Sequence, residues 1–248
     1  MKNLFKSSLL LILTGIYSYA LDSNSITYRS EYSNLSKNNP SWKSNYLQAL
    51  FKHNGKNYSI KGESVERYNI NDERVELSFL TPFFDNFMWE IDYAHANDGV
   101  IIPKDTIYNK IYYNVKDLFG ISYGYKENKY STNSKNKIHD VEIEKYYKDF
   151  RFAFDTAFST LNNEDDSVSN KATIHYFYND NYTALSYSFG EEAEATENRI
   201  ITSKVKSTAL YGEYVLQKDW ALGYSFEHVK QDELYIRRTF SLAAIYRF

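Results

Sequence analysis

Apolar and polar side chains alternate one by one along short segments of the chain between Ile26 and Phe248. Successive side chains of a β-strand point to opposite faces, so this period of two predicts strands with one apolar and one polar face. None of these segments shows the period of an amphipathic helix. In one of the clearest segments the residues Phe87, Trp89, Ile91 and Tyr93 are interleaved with Met88, Glu90, Asp92 and Ala94.

The alternation predicts an all-β fold, a transmembrane antiparallel up-and-down β-barrel of about 14 strands. Each predicted strand is bounded by turn residues or by a change of period. The predicted strands cover residues 25–35, 42–53, 56–67, 74–81, 87–95, 106–114, 118–128, 138–147, 150–160, 170–179, 182–190, 204–215, 220–229 and 237–248.

The connections between these strands alternate in length from the third strand onward. Short turns are predicted at Asn54-Gly55, 82–86, 115–117, Lys148-Asp149, Asp180-Asn181 and 216–219. Longer connections that are richer in charge cover 96–105, 129–137, 161–169 and 191–203, and the first outer loop, 36–41, is the weak case. Bacterial outer-membrane barrels have short periplasmic turns and longer external loops, so both termini are predicted to be periplasmic.

Two-residue turns also fix which residues lie opposite each other in a hairpin. Apolar residues should then meet apolar residues, and polar residues should meet polar ones, with Leu50 as an inward-pointing exception. The Asn54-Gly55 turn predicts the pairs Phe51 with Tyr58, Ala49 with Ile60, Leu47 with Gly62, Gln48 with Lys61 and Tyr46 with Glu63. The Lys148-Asp149 turn predicts Ile143 with Phe154 and Glu142 with Asp155.

Composition indicates that the apolar faces meet lipid and not a protein core. Charged residues make up 25% of the chain and the mean hydropathy is −0.58, as in a soluble protein, but aromatic residues make up 18%, with 25 Tyr and 16 Phe. Such residues form girdles at membrane interfaces. A soluble secreted β-barrel or sandwich that binds a partner remains the alternative, because periodicity alone does not distinguish it from a membrane barrel. The girdle residues expected near strand ends are Phe87, Trp89, Phe119, Phe150, Tyr182, Trp220, Tyr246 and Phe248.

The first 20 residues have the pattern of a secretory signal peptide. Lys2 and Lys6 precede an apolar stretch over 9–16, and Ser18-Tyr19-Ala20 fits a cleavage site. Residues 21–248 then form one outer-membrane barrel domain. No later apolar run reaches the roughly 18 residues that a membrane helix needs, which excludes a helical membrane protein. Losing both lysines takes the formal charge from −3 to −5, so nucleic acid is not expected as a partner.

The last strand ends at the last residue, with Tyr246 and Phe248 on its apolar face. We interpret these two residues as an assembly signal for the barrel-assembly machinery. The chain also resembles the YaiO family of outer-membrane β-barrels over nearly the whole mature sequence. The residues that carry the resemblance are Ile26-Thr27-Tyr28, Trp42, Ile102-Pro103 before Tyr108, Trp220-Ala221-Leu222-Gly223-Tyr224 and Tyr246-Arg247-Phe248. This resemblance implies an outer-membrane location and an association with surface-polysaccharide genes.

The polar faces predict a charged lumen in which acidic residues predominate and few bases oppose them. The lumen candidates are Arg29, Glu31, Lys61, Glu63, Glu76, Glu90, Asp92, Lys110, Glu142, Glu144, Arg151, Asp155, Glu213 and Glu227. Glu142 and Asp155 form a like-charge pair that is costly unless a cation, water or Arg151 intervenes. Either the charges neutralise one another in a plugged core, or they line a water-filled pore that favours cations.

No catalytic site, metal site or cofactor is expected. The five His are scattered, and none has a Ser two residues away on the same face, whereas nucleophilic catalysis needs a base within hydrogen-bond reach. We therefore expect a structural or pore-forming barrel that is not an enzyme, and that passes small solutes or cations or assists surface-polysaccharide export. An outer-membrane enzyme acting on lipid is the alternative. The expected partners are outer-membrane lipid, lipopolysaccharide, the barrel-assembly machinery and surface polysaccharide.

Overall fold

The structure is a computed structural model that describes residues 24–248, except 38, 116–118, 163–164 and 196–199. The predicted signal peptide, residues 1–20, lies outside the described residues. Among those residues no helix is long and apolar enough to cross a membrane.

Fourteen antiparallel strands account for most of the described chain. They are β1 (Ser25–Leu35), β2 (Trp42–His53), β3 (Lys56–Arg67), β4 (Ile70–Phe84), β5 (Phe87–Ala96), β6 (Asp105–Val115), β7 (Phe119–Lys129), β8 (Lys135–Tyr147), β9 (Phe150–Leu161), β10 (Asp165–Tyr178), β11 (Asn181–Ala195), β12 (Ile200–Gln217), β13 (Trp220–Gln231) and β14 (Tyr235–Arg247).

The strands close into a barrel. Each strand pairs with its neighbours in sequence, and β1 pairs with β14 from Ser25 opposite Arg247 to Leu35 opposite Arg237. Two backbone hydrogen bonds between Asn24 and Phe248, of 3.1 and 3.0 Å, continue this seam. Every strand is therefore paired along both sides, which leaves no exposed sheet edge. The predicted all-β barrel of fourteen strands is confirmed.

The connections lie at two ends of the barrel. Of the described residues, the turn rim carries Asn24, Phe248 and the connections 54–55, 85–86, 148–149, 179–180 and 218–219. The loop rim carries 36–37, 39–41, 68–69, 97–104, 130–134 and 232–234. The difference in length between the connections of the two rims is smaller than predicted, because polar residues of the predicted loops continue the strands. At the loop rim, β11 and β12 pair as far as Ala195 opposite Ile200.

The connection between β3 and β4 is shorter than predicted. Arg67 pairs with Ile70, and the two residues between them, Tyr68 and Asn69, have positive φ values of 55° and 62°. Positive φ at both central positions is the geometry of the tight hairpin turn whose twist matches the flanking strands. Strand β4 consequently starts at Ile70, four residues before the predicted start at 74.

Alternation sorts apolar residues to the outer surface of the barrel and polar residues to the lumen. On β5, the outward Trp89 is 39% exposed, whereas the next residue, Glu90, is 3% exposed. The pairings predicted around both two-residue turns are confirmed, including Gln48 with Lys61 and Glu142 with Asp155. Leu50 points inward as predicted and is 8% exposed.

One predicted girdle residue faces the other way. Tyr182 is 1% exposed and packs in the lumen against Phe177. The predicted turn at Asp180-Asn181 is wrong by one residue, because Tyr178 pairs with Asn181 across Asn179-Asp180. Tyr182 therefore pairs with the inward-facing Phe177. A shift of one residue in a hairpin moves a side chain to the opposite face.

Candidate functional site: the lumen

The inward strand faces bring the charged lumen candidates together inside the barrel. Arg29 and Glu31 lie on β1, Lys61 and Glu63 on β3, Glu76 on β4, Glu90 and Asp92 on β5, Lys110 on β6, Glu142 and Glu144 on β8, Arg151 and Asp155 on β9, Glu213 on β12, and Glu227 on β13. Each lies in step with buried residues of its own strand. The proposed assembly residues Tyr246 and Phe248 lie on the outer surface.

The expectation that few bases oppose the lumen carboxylates is wrong. Six more bases lie on inward faces, and the carboxylates outnumber the bases only narrowly. Sequence reasoning missed several of them because they lie at strand ends, where an uncertain boundary leaves the facing undetermined. The additional bases are Arg67, Arg74, Lys126, Lys171, Arg237 and Arg247, and three further carboxylates are Asp72, Asp140 and Glu192.

Near the turn rim, Arg151 supplies a positive charge beside the predicted like-charge pair of Glu142 and Asp155. Its Nη2 lies 2.9 Å from Oε1 of Glu142, and its Nε lies 2.5 Å from Oε2 of Glu144. The same guanidinium lies 3.4 Å from Nδ1 of His175, whose Nε2 is 3.4 Å from the Tyr211 hydroxyl. One cation thus balances carboxylates of β8 and connects them to β10 and β12. We call Arg151, Glu142, Glu144, His175 and Tyr211 the arginine cluster.

Other ion pairs and hydrogen bonds pack the same end of the lumen. Tyr112 donates a hydrogen bond of 2.5 Å to Glu90. Lys110 Nζ lies 3.2 Å from Asp140, and Arg247 pairs with Glu213. Because these groups are buried, each charge needs such a partner to remain inside the barrel.

Toward the loop rim the lumen widens into a cavity of about 710 Å³, which we call the vestibule. Its charged lining includes two ion pairs, Lys61 with Glu76 at 2.9 Å and Arg237 with Glu227 at 3.0 Å. Hydroxyl and amide side chains form much of the remaining wall. The polar uncharged lining residues are Tyr46, Gln48, Ser186, Ser188, Ser207, Tyr211, Ser225, Gln231 and Thr239.

A buried tryptophan supports two arginines of the vestibule. The guanidinium carbons of Arg67 and Arg237 lie 4.4 and 5.3 Å from the centre of the Trp42 ring. Tyr68 and Tyr235 meet the same ring edge to face. Cations are attracted to an aromatic face, so Trp42 holds both charges beside the cavity.

The connection 97–104 folds into the lumen between β5 and β6. Ile101 and Ile102 are buried against Val65 and Ala96. The Asp72 side chain on β4 accepts hydrogen bonds from the backbone N–H groups of Ile101 and Ile102, at 2.8 and 3.1 Å. We call this segment the inward loop. It narrows the loop-rim end of the barrel over β3 to β6.

The described residues contain no group of three or more His, Cys, Asp and Glu arranged to hold a metal ion. The His95 ring lies 2.9 Å from Asp105, and the His139 ring lies 2.7 Å from the Tyr123 hydroxyl. What the geometry offers is a polar cavity bounded at one end by ion pairs.

Comparisons with known proteins agree with this architecture. The family model for the YaiO membrane beta barrel domain matches residues 23–195. A comparison with curated proteins finds no match.

Several solved outer-membrane proteins share the fold. Omp33 of Acinetobacter baumannii superposes with a TM-score of 0.54 and 14% identity, covering 91% of this chain and 99% of that one. An anion-selective porin from Comamonas acidovorans gives a TM-score of 0.51 and 10% identity, with coverage of 91% and 98%. A bacterial polysaccharide outer membrane secretin gives 0.58 and 8%, with coverage of 91% and 98%. At such identities the likeness extends to the fold alone.

Proposed function

Because the chain belongs to the YaiO family of membrane β-barrels, we propose that it is a pore-forming protein of the outer membrane that admits small polar solutes. The observation that carries the proposal is the vestibule of about 710 Å³ inside a closed ring of strands. Its polar wall suits hydrated solutes, since ligand cavities fix polar molecules through a few placed polar groups. The anion-selective porin that shares the fold supports the proposal.

The charge balance supports a weak preference for cations. Fixed charges on a pore wall attract ions of opposite sign. Inward carboxylates exceed inward bases, but the pairs of Arg151 with Glu142 and of Lys110 with Asp140 lower the field. We therefore expect a smaller selectivity than unpaired acids would give.

Reversal potentials across a salt gradient in a planar bilayer test this proposal. Single-channel current with a modest cation preference is expected from folded protein. Replacing Glu142 by Gln and Asp155 by Asn together should reduce that preference without preventing assembly. The matched control is Glu66→Gln, which removes a carboxylate that pairs with Lys43 on the outer surface. No current from correctly folded protein would reject the pore.

A structural barrel is the second candidate, and the observation in its favour is the ion-paired filling of the turn-rim end by the arginine cluster. That reading predicts folded protein without current. An enzyme acting on lipid would instead show lipid turnover by purified protein, which we do not expect. Assistance of surface-polysaccharide export is a narrower form of the pore proposal, and it predicts less surface glycan after deletion. As partners we propose outer-membrane lipid, lipopolysaccharide and the barrel-assembly machinery.

A further inference from the structure

Arg29 differs from Arg67 and Arg237, the other arginines that line the vestibule, because those two lie over the Trp42 ring. Arg29 is 6% exposed and lines the cavity, yet within the described part of the chain its side chain makes no hydrogen bond or ion pair. Its Nε is buried without an acceptor. By contrast, Arg74 and Arg151 each hold a carboxylate at 2.5 Å, and Arg247 holds Glu213.

Among the described residues, no carboxylate lies within ion-pair distance of the Arg29 guanidinium. The nearest aromatic face is that of Tyr46, whose ring centre lies 5.8 Å from the guanidinium carbon. Glu213 already pairs with Arg247. Gly223 leaves room for the guanidinium, because a Cβ there would lie 3.4 Å from Nη2 of Arg29. Arginine stays protonated in proteins, so the unpaired charge cannot be relieved by losing a proton.

Two further vestibule residues share this feature. Lys171 is exposed although it lies on an inward face, and within the described residues neither Lys171 nor Glu31 has an ion-pair partner. Lys171 pairs across the sheet with Ser188, which pairs with Ser207, so the three side chains leave neighbouring strands on the same inward face. Arg29 and Lys171 thus add cations without an ion-pair partner to the cavity, beside a row of hydroxyls and the Glu31 carboxylate, which can accept from a ligand hydroxyl.

We propose that the vestibule binds small hydroxylated anions, whose carboxylate or phosphate group contacts the Arg29 guanidinium. A guanidinium presents parallel N–H groups that match such an anion in a two-pronged contact. Burial strengthens that contact because water competes less. The ligand hydroxyls then contact Glu31 and the serines near Lys171. This inference uses the vestibule of the proposed function but does not require conduction.

Calorimetry on folded, detergent-solubilised protein tests the proposal with three probes of similar size. D-Glucuronate and glucose 6-phosphate carry an anionic group, and D-glucose does not. We expect the better anion to bind at least about tenfold more tightly than glucose, the ratio that one favourable charge contact supplies. The comparison between the two anions identifies whether carboxylate or phosphate is preferred.

Arg29→Gln should abolish the preference for the anions. Arg74→Gln is the matched control, because it removes an inward arginine that lies outside the lining of the vestibule and should leave anion binding unchanged. Arg29→Lys should retain part of the affinity, since it keeps the charge without the planar fork. If Arg29→Gln does not fold, Arg29→Lys together with Lys171→Gln provides the same comparison.

Equal binding of glucose and both anions would overturn the proposal, and so would equal losses in Arg29→Gln and Arg74→Gln. If the protein passes no current but still binds anions in a way that depends on Arg29, the proposed pore is rejected and the proposed anion site is supported.

Discussion

At the residue scale, the lumen shows what alternation along a sequence reveals and what it does not. The alternation and the short turn between β8 and β9 predict that Glu142 and Asp155 lie opposite each other on one face. The prediction is confirmed, because the pairing of neighbouring strands depends on local sequence. The bond between Arg247 and Glu213 joins residues on β14 and β12, which are not neighbouring strands. Whether a charge such as Arg29 is paired depends on side chains that meet across the lumen, so strand pattern alone could not predict it.

A first prediction concerns the arginine cluster. Arg151→Met should destabilise the barrel by about 3–5 kcal/mol, because it leaves Glu142 and Glu144 without their cation in a buried site. The measurement is urea unfolding followed by the change in gel mobility that accompanies barrel opening.

The control for this prediction is Arg74→Met. The pair of Arg74 with Glu63 is more exposed, and Glu76 keeps Lys61 as a partner, so we expect a loss of about 1 kcal/mol or less. Losses of equal size in the two variants would show that burial does not strengthen the cluster.

At the element scale, strands were easier to predict than the connections between them. Alternation continues only while a strand has two different faces, so the predicted bounds of β2 and β3 agree with the structure. The inward loop has no such period. Its burial depends on Asp72, which is distant in sequence, and the hydrogen bonds to Ile101 and Ile102 exist only in the folded barrel.

A second prediction tests whether Asp72 holds the inward loop. Asp72→Ala removes the acceptor for two backbone N–H groups, which costs about 1–3 kcal/mol for groups left unsatisfied. The loop should then open more often, and trypsin should cut after the exposed Lys104 faster than in the unchanged protein. Channel current, if present, should also increase.

Glu73→Ala is the matched control for this experiment. Glu73 is adjacent to Asp72 but exposed on the outer surface, and its backbone oxygen accepts a hydrogen bond from the Asn97 N–H, which the substitution keeps. An unchanged cleavage rate in Asp72→Ala would show that the apolar packing of Ile101 and Ile102 holds the loop without the carboxylate.

At the scale of the whole molecule, the outer surface of the barrel meets lipid and the rims meet water. The structure distinguishes the two rims, but which rim faces the periplasm stays a prediction. Short turns lie at one rim together with Asn24, the first described residue, and Phe248, and bacterial barrels place such turns in the periplasm.

A third prediction tests this orientation. The chain contains no Cys, so a single introduced Cys is the one thiol that a maleimide can label. On intact cells, a membrane-impermeant maleimide should label Asp98→Cys on the inward loop, whereas Asp149→Cys at the turn rim should react only after lysis. Both positions are exposed, so neither reaction is limited by burial. The reverse pattern of labelling would place the termini outside the cell.

The seam between β1 and β14 makes register a property of the entire ring. In an open sheet, one inserted residue shifts only the strands that follow it, but in a closed barrel the offsets of all neighbouring pairs must add up to one fixed stagger. An insertion within a strand must therefore be absorbed where it occurs. The two register irregularities, at Pro82/Phe84 and Val215/Gln217, both lie beside turns of the turn rim, where the ladder ends. Evolution is consequently free to lengthen connections at the rims, whereas strand interiors must keep their residue count.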